Sequence, residues 1–352
     1  MILAHVDLDA FYAAVEELEQ PELREQALVV GGDPRGRGVV ATANYRARRF
    51  GIRSGMSSAE ALRRCPEAVF VHPRKSLYSS YSRAVWDVVR DVVPTVERTG
   101  MDEGYLALDE VASDFLGARV VAEAVQAAVR GATSLSASLG VATCKVVAKV
   151  ASDRRKPGGL TVVLPGREAA FLAPFDIRLL PGVGPRAELR LRAAGVVTIG
   201  ALADLGDAAL RRLLPGRIGT LLRDRAQGSD PRAVEPDSES EHVSISHEET
   251  FAEDVSNRDR LHDELLRMAL RVAERLEASG ESARTVTTKV RYADFSLRTR
   301  SSTLGIGISD GKRIGEIACR LLDRALADRP GALRLVGVSV SGLEEHRQLA
   351  LA

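Results

Sequence analysis

The sequence lacks the features of several protein classes. It has three cysteines in 352 residues, namely Cys65, Cys144 and Cys319, and no CxxC spacing. An odd, widely spaced set argues against a disulfide framework or a structural zinc site and favours a reducing compartment. No apolar run approaches the ~20 residues needed to span a bilayer, and Asp7 and Asp9 stand where a signal peptide is uncharged. We therefore expect a cytoplasmic protein without membrane contact.

An overall charge bias is also absent. The chain has 49 basic and 48 acidic residues and a formal net charge of +1, so no global field indicates a partner. Its apolar and charged contents, 45% and 28%, are typical of a globular protein. The length exceeds what one ordinary core supports, which predicts roughly two to four domains.

Periodic patterns in the first half predict an α+β architecture. The strands are expected at residues 2–6, 27–32, 39–43, 95–109 (a pair) and 134–142. The helices are expected from about residue 10 and over residues 57–66, 77–92, 118–130 and 143–156. This order favours an antiparallel sheet backed by helices, with Asp7 placed after the first strand and before the first helix.

The second half divides into a helical segment, a linker and another α+β domain. Residues 165–228 are rich in Leu, Ala and Arg, and "LPGVG" between two amphipathic stretches is typical of a helix–hairpin–helix. Its backbone N–H groups at Val183 and Gly184 can face a phosphate. A polar, proline-containing stretch predicts a linker. Beyond it, strands alternate with two helices, at about residues 258–278 and 311–327.

The stretch "TGMDEGYLAL" places Asp102 and Glu103 side by side in apolar surroundings. Buried carboxylates need a positive partner, and Asp7 joins them if the first strand lies beside the strand pair. Carboxylates are ligands of hard divalent cations, and two such ions commonly serve phosphoryl transfer. The alternative, favoured by these residues alone, is that Asp7 and Asp9 cap a helix while Asp102 and Glu103 form a solvated turn.

Four segments change this balance. "VDLDAFYAAVE", "ATANYRARRFGIRSGM", "MDEGYLAL" and "SASLGVATCKVVAKVASDRRKPGG" occur in this order and resemble the Y-family translesion DNA polymerases, closest to the bacterial DNA polymerase IV branch. The resemblance covers essentially the whole chain and implies a right-hand polymerase fold. The implied divisions are a palm (1–10 and 74–164), fingers (11–73), a helix–hairpin–helix thumb (165–229), a linker (230–241), a little finger (242–344) and a tail (345–352).

The resemblance also implies a metal site. Asp7, Asp102 and Glu103 match carboxylates that bind two Mg²⁺ ions, or Mn²⁺ in their place, and the backbone carbonyl of Leu8 matches a further ligand. Asp9 matches an acid that is not a ligand, so we expect a structural role for it.

The implied nucleotide contacts surround this site. Tyr12 matches the steric gate that occupies the space of a ribose 2′-OH, and Phe11 matches the residue that packs on the sugar; ordinary core packing is the alternative for both. Four residues match contacts to the incoming triphosphate, and a solvated helix face is the alternative for the cations. These four are Thr42, Tyr45, Arg48 and Lys156.

The chain departs from the family pattern near the acids. Gly100 replaces a serine, Gly104 replaces an alanine, Ala107 replaces an acid and Cys144 replaces an asparagine. None of these positions is a metal ligand, so the chemistry should survive. We expect the glycines to loosen the hairpin that aims the carboxylates, and the thiol to lose the backbone contact of the amide.

Several basic positions are candidates for DNA binding. In the second α+β domain, residues two apart on a strand share a face, so each of two basic pairs should present its charges together to a duplex backbone. An arginine-rich solubilising surface is the alternative. The candidates are Lys145, Lys149, Val183, Gly184, Arg186, Lys289, Arg291, Arg298 and Arg300. The end of the chain, "QLALA", resembles a sliding-clamp peptide through Gln348, Leu349 and Leu351, with an unstructured tail as the alternative.

Together, the resemblance implies a monomeric, DNA-template-directed DNA polymerase of the translesion type. Its partners are primer–template DNA, a dNTP and the sliding clamp, and low fidelity without proofreading is expected. A non-catalytic adaptor is one rival, which the presence of all three acids disfavours. A polymerase that accepts ribonucleotides is another, which Tyr12 disfavours.

Overall fold

The computed structural model describes residues 1–236 and 243–345. The chain divides into two compact units, one formed by residues 1–34 and 38–238 and the other by residues 35–37 and 239–352. In the described part of the chain, no helix is both long and apolar enough to cross a bilayer. Part of the predicted linker (237–241) and nearly all of the predicted tail, including Gln348, Leu349 and Leu351, lie outside the described residues.

The first unit contains two sheets and a helical segment. Its strands are β1 (Leu3–Leu8), β2 (Leu28–Gly31), β3 (Val40–Ala43), β4 (Val69–Val71), β5 (Val96–Arg98), β6 (Glu103–Ala107), β7 (Ala137–Ala142) and β8 (Leu160–Val162). Its helices are α1 (Phe11–Glu19), α2 (Tyr45–Arg49), α3 (Ser58–Arg64), α4 (Lys75–Val92), α5 (Phe115–Thr133), α6 (Lys145–Ser152), α7 (Glu168–Leu172), α8 (Pro185–Ala193), α9 (Ile199–Ala203), α10 (Asp207–Leu213) and α11 (Arg217–Ala226). Two 3₁₀ turns, Pro21–Glu25 and Ile177–Leu179, complete the set.

A five-stranded sheet with the order β5-β6-β1-β7-β8 forms the centre of this unit. The strands pair antiparallel except β7 and β8, which are parallel. Val6, Leu8 and Leu106 on one face belong to a core shared with α4 and α5. On the other face α6 packs so closely that a Cβ at Gly140 would lie 2.1 Å from the carbonyl oxygen of Ala148.

The first strand differs from its prediction in a way that matters for the site. It was expected to end before Asp7, but β1 runs to Leu8, and Asp7 pairs with Glu103 on one side and Ser138 on the other. The reason is that the apolar core of the strand continues through Leu8, so the acid is carried within the sheet. The short strands β4 and β8 were not predicted, because three residues carry too little periodicity.

The remaining parts of the first unit follow the predicted pattern. A three-stranded sheet with the order β3-β2-β4 precedes α4, and residues 168–226 are helical apart from short turns. The finer division into palm, fingers and thumb stays a prediction.

The second unit is an antiparallel sheet with two helices on one face. It contains β9 (Ser244–Val255), α12 (Arg258–Ser279), β10 (Glu281–Tyr292), β11 (Leu297–Ile308), α13 (Gly311–Asp328) and β12 (Leu333–Glu345). The strand order is β11-β10-β12-β9. Buried residues that alternate along β10 and β12, such as Val286, Val290 and Val338, pack against α12 and α13. The predicted order of strands and helices is confirmed.

Candidate active site

A polar cavity of about 310 Å³ lies where β1 gives way to α1. Its walls come from several separate segments of the first unit, including β3, α2 and the turn before β6. The lining residues are Asp7, Leu8, Ala10, Phe11, Tyr12, Ala41, Thr42, Arg48, Ser54, Asp102 and Lys156. The cavity therefore brings together most of the residues that the sequence suggested for metal and nucleotide binding.

The acidic residues meet through strand pairing. Asp7 lies directly opposite Glu103 in the register of β1 and β6, and such partners have Cα atoms about 4.5–5.5 Å apart. The N–H of Leu8 donates to the carbonyl oxygen of Asp102 at 2.8 Å, which fixes Asp102 beside the end of β1. Asp7 and Asp102 face the cavity, whereas Glu103 lies next to it.

Lys156 provides the nearest positive charge to Asp7. Its Nζ lies 2.5 Å from Asp7 Oδ1 and 2.7 Å from Asp153 Oδ1. Burial nevertheless raises the pKa of Asp7 to about 6 against the pull of this ammonium group. Burial also raises the pKa of Asp102. Both carboxyl groups therefore lie where additional positive charge stabilises the ionised form.

Glu103 is held in its ionised form by a separate group of residues. Contacts with His5 and Lys149 lower the pKa of Glu103 to about 2, despite its partial burial. The Ser152 hydroxyl donates to the Lys149 carbonyl and so accepts from Nδ1–H of His5 at 2.8 Å. Nε2 of His5 lies 3.6 Å from Glu103 Oε2 and 3.3 Å from Nζ of Lys149. No sequence pattern indicates His5 or Ser152, because their role depends on α6 packing over β1.

The donor set fits a hard divalent cation. Two half-buried carboxylates with raised pKa values and Leu8 line one cavity, and carboxylate and backbone oxygens suit Mg²⁺. Over residues 1–236 and 243–345, no three His, Cys, Asp or Glu side chains form a group that could hold an ion. Lysine ammonium groups contact Asp7 and Glu103 instead.

Aromatic residues form one wall of the cavity. Tyr12 stacks on Tyr78 with ring centroids 4.2 Å apart, and Phe11 packs against both rings. The Tyr12 hydroxyl donates to Sδ of Met101 at 3.4 Å. Phe11 is buried, as the core alternative requires, yet both residues also line the cavity.

The expected triphosphate contacts divide into two groups. Thr42, Arg48 and Lys156 line the cavity, and Nε of Arg48 donates to the carbonyl oxygen of Ala43 at 2.9 Å. Tyr45 is not among the lining residues, because its hydroxyl donates to Asp9 Oδ1 at 3.1 Å. In the described state, Tyr45 therefore supports the wall behind the cavity.

Asp9 is a structural acid, as expected. Its buried carboxylate accepts hydrogen bonds from the hydroxyls of Ser136 and Ser138, each at 2.8 Å, and from the N–H of Gly158 at 2.7 Å, besides Tyr45. These bonds join the turn after β1 to β7 and to the segment after α6. The next residue, Ala10, has φ 48°, a left-handed conformation that alanine adopts only under constraint.

Gly104 and Cys144, two positions at which the chain differs from the family pattern, have different surroundings in the structure. A Cβ at Gly104 would lie 2.7 Å from the Glu97 carbonyl oxygen and 2.8 Å from Cη2 of Trp86. The Glu97 carbonyl oxygen and the indole ring thus occupy the space of a side chain at Gly104, and the expected loosening of the hairpin stays a prediction. The Cys144 thiol donates to the carbonyl oxygen of Gly228 at 3.2 Å, and α6 begins without a side-chain cap.

Two lysines predicted to bind DNA are used inside the protein. Lys145 is buried and its Nζ lies 2.6 Å from Glu97 Oε1. The Lys149 ammonium pairs with Glu103. The prediction of a DNA contact is wrong for Lys145, because its buried charge is neutralised by an acid distant in sequence. For Lys149, whose side chain is 32% exposed, the DNA contact stays a prediction.

The helix–hairpin–helix candidates also need one correction. The N–H of Val183 donates to the Leu180 carbonyl at 3.0 Å, so it closes the turn and does not face a phosphate. Gly184 precedes the first residue of α8, and Arg186 is exposed in the first turn of that helix. Both remain candidates for a phosphate contact.

The basic pairs of the second unit lie on opposite faces of its sheet. Arg298 pairs with the buried Val290 in the antiparallel register of β10 and β11, and directly paired residues point to the same face. Arg298 and Arg300 therefore point to the helix side, while Lys289 and Arg291 point to the open side. The prediction that each pair shares a face is consistent with this register, but the two pairs do not form one continuous surface.

Two of these four cations have acidic partners. Nζ of Lys289 lies 2.7 Å from Glu248 Oε1 on β9. Nε of Arg300 donates to Asp328 Oδ2 at 3.1 Å. Arg291 differs, because its Nε is buried without a hydrogen-bond partner among the described residues. Of the predicted DNA contacts on the open face, Arg291 therefore carries the least compensated charge.

Comparison with known proteins defines the class. The family model described as impB/mucB/samB matches residues 6–153, and its C-terminal domain model matches residues 242–351. A Y-family DNA polymerase chimera of Dbh and Dpo4 superposes with a TM-score of 0.88 at 25% identity over 97% of this chain and 99% of that one. DinB from Sulfolobus solfataricus gives a TM-score of 0.66 at 25% identity over 97% and 98%. The α+β right-hand fold of a Y-family DNA polymerase is thus confirmed.

Curated relatives refine this assignment. DNA polymerase IV of Streptomyces coelicolor is 42% identical over 98% of this chain and 72% of its own length. DNA polymerase IV of Halorhodospira halophila is 43% identical over 98% of this chain and 96% of its own length. The chain belongs to the DNA polymerase IV branch of the Y family and is a DNA-directed DNA polymerase.

Proposed function

We propose that this polymerase extends a DNA primer past damaged template positions, with Asp7, Asp102 and Glu103 as the ligands of two Mg²⁺ ions, or of Mn²⁺ in their place. One observation supports this most directly. Two half-buried acids and two cations, Arg48 and Lys156, line a single cavity. Carboxylates beside a cationic wall suit a metal-bound triphosphate, whose negative charge needs both.

The residues of the cavity have separate roles in nucleotidyl transfer. The carboxylates of Asp7 and Asp102 hold positive charge where the primer 3′-hydroxyl meets the α-phosphate of the dNTP. Divalent ions bound there supply Lewis acidity to the attacking hydroxyl and to the departing pyrophosphate. Arg48 and Lys156 balance the triphosphate charge, and Thr42 offers a hydroxyl donor. Lys156 must release Asp7 to do so, which couples nucleotide binding to exposure of the acid.

Tyr12 and Phe11 set the sugar preference in this proposal. The Tyr12 ring is fixed by stacking on Tyr78 and by its contact with Met101. A ring held on two sides cannot swing away, so it excludes a 2′-hydroxyl by contact rather than by binding. Phe11 packs beside it against the deoxyribose.

The proposal includes low fidelity without proofreading. The cavity wall from the fingers segment contributes small residues, among them Ala41, and we place Gly55 near the nascent base pair with it, whereas Ala43 is buried in the core of this segment. Small side chains leave room for a distorted pair, so shape selects weakly against errors. Primer–template DNA is the partner, held through backbone contacts at Gly184, Arg186 and the open face of the second unit.

Other partners and the setting complete the proposal. We expect the chain to act as a monomer in the cytoplasm, where its three free thiols stay reduced. The C-terminal peptide docks on the sliding clamp through Gln348, Leu349 and Leu351.

Primer extension tests the proposed function. Wild type is assayed with Mg²⁺ on undamaged and abasic templates, with dNTPs and rNTPs in parallel, and Asp102→Ala serves as the inactive control. We expect Mg²⁺-dependent extension by wild type with dNTPs only, and none by the variant. Absence of extension by wild type would indicate a non-catalytic adaptor. Equal use of dNTPs and rNTPs would show that Tyr12 does not act as a steric gate.

A further inference from the structure

The turn that carries the acids is held from behind by α4. The carbonyl oxygen of Met101, the residue before Asp102, accepts two hydrogen bonds. One comes from the Ser82 hydroxyl at 2.5 Å and the other from Nε1–H of Trp86 at 3.1 Å. Trp86 is fully buried and is the single tryptophan of the chain.

The same indole also touches the other side of the acid pair. Gly104 follows Glu103 on β6, and a Cβ there would lie 2.8 Å from Cη2 of Trp86. Real Cβ atoms do not approach other atoms so closely, so glycine is the residue that admits both the indole and the Glu97 carbonyl oxygen, which would lie 2.7 Å from that Cβ. Successive residues of a strand point to opposite faces, which places Gly104 on the α4 side while Glu103 points to the α6 side.

We propose that Trp86 is a positioning residue that aims Asp102 and Glu103, and that Gly104 is its matched partner. The indole contacts the chain at Met101 and at Gly104, the two residues that flank the acids, so its ring plane sets where both carboxylates project. This rests on the proposed function of the acids as metal ligands. Trp86 acts through Met101 and touches no substrate.

The turn also links the acids to the sugar gate. Met101 receives the Trp86 bond on its carbonyl and the Tyr12 hydroxyl on its sulfur. A shift of the indole therefore moves the carboxylates and the Tyr12 contact together, which an ordinary core residue would not do.

A double-mutant cycle tests whether the two residues act as a unit. Gly104→Ala forces a methyl group into the indole and should lower kcat by about tenfold or more, with a higher Mg²⁺ requirement and little change in the KM for dNTP. Trp86→Phe removes the outer ring and the N–H, so this single substitution should also lower kcat. Combined with Trp86→Phe, the added methyl group no longer meets the indole and the contact with the Glu97 carbonyl oxygen remains, so Gly104→Ala should lower kcat about threefold less than it does in wild type. Equal effects of Gly104→Ala in both backgrounds would overturn the pairing.

Folding effects are separated by a control on the same helix. Val89 is fully buried one turn along α4, and Val89→Ala should lower the thermal midpoint without changing kcat or the Mg²⁺ requirement. If Trp86→Phe and Val89→Ala, compared at similar loss of thermal midpoint, reduce kcat alike, Trp86 is only a core residue and the proposal fails.

A second readout needs no turnover. Bound Mg²⁺ should raise the thermal midpoint of wild type, with Asp102→Ala as the reference that lacks the effect. Trp86→Phe and Gly104→Ala should each need several times more Mg²⁺ for half of this rise, and unchanged requirements would refute the positioning role. If wild type extends no primer, the proposed function fails, yet this titration still shows whether Trp86 and Gly104 act on the acids.

Discussion

Replacing Asp7 by asparagine should remove activity and make the protein more stable. Burial raises the Asp7 pKa from its ordinary 3.8 to about 6, so above pH 6 the folded chain carries an ionised group that it solvates poorly. One pKa unit corresponds to about 1.4 kcal/mol, which sets an upper limit of about 3 kcal/mol. Since the carboxyl group retains 20% exposure, we expect a gain of about 2 kcal/mol from Asp7→Asn. Lys156 keeps its bond to Asp153 in the variant.

The pH dependence of this gain follows from the direction of the shift. The folded-state pKa is raised, so the unfolded chain releases its proton first as pH rises from 3.8 to 6, and wild-type stability falls in that interval. Below pH 3.8 both states are protonated, and Asp7→Asn should match wild type. Above pH 6 the full difference should appear.

Thermal unfolding in EDTA from pH 4 to 8 measures this difference. For a unit of about 235 residues, 1 kcal/mol shifts the midpoint by about 2–4 °C, so Asp7→Asn should unfold roughly 4–8 °C higher at pH 7.5. Primer extension should be absent at every pH. The reasoning would be contradicted if Asp7→Asn unfolded at a lower temperature than wild type at pH 7.5. It would also be contradicted if the difference between the two midpoints did not change with pH.

Asp9→Asn is the matched control, two residues along the chain. Its carboxylate accepts bonds from Tyr45, Ser136, Ser138 and Gly158, and an amide nitrogen would face these donors with donors of its own. Losing one or two buried acceptors costs about 1–3 kcal/mol each. We therefore expect Asp9→Asn to lower the midpoint at pH 7.5, the opposite sign to Asp7→Asn.

Three further predictions follow from the described contacts. Lys145→Met should reduce the free energy of unfolding by about 3 kcal/mol in urea titrations, because it leaves Glu97 without its buried partner, while the salt dependence of DNA affinity stays unchanged. Tyr12→Ala should increase rNTP incorporation by about tenfold or more in single-nucleotide extension, and an unchanged sugar preference would mean that the ring is only core. Arg291→Ala should reduce the slope of log affinity against log salt by about 1. Arg300→Ala should leave that slope unchanged, because its guanidinium is bonded to α13, and equal effects of the two substitutions would contradict the assignment of faces.

The sequence alone determined most of the element order and most of the cavity. Alternation of apolar residues was informative for the second unit, because its central strands β10 and β12 bury one face against the helices. The motifs around Asp7, Tyr12, Arg48 and Asp102 were informative because each is local, and the family resemblance linked them before any contact was known.

Tertiary structure alone decided the partners of the charges. In the sequence, Lys145 and Lys149 indicate a basic helix face. Their acidic partners, Glu97 and Glu103, lie 48 and 46 residues away along the chain. The opposite faces of the basic pairs depend on strand register, where a change of one residue exchanges the faces. Trp86 and Gly104 are distant in sequence and meet only because α4 crosses behind β6. Periodicity shows which side of an element is apolar, but the neighbour that each polar or aromatic group finds is fixed by packing between elements.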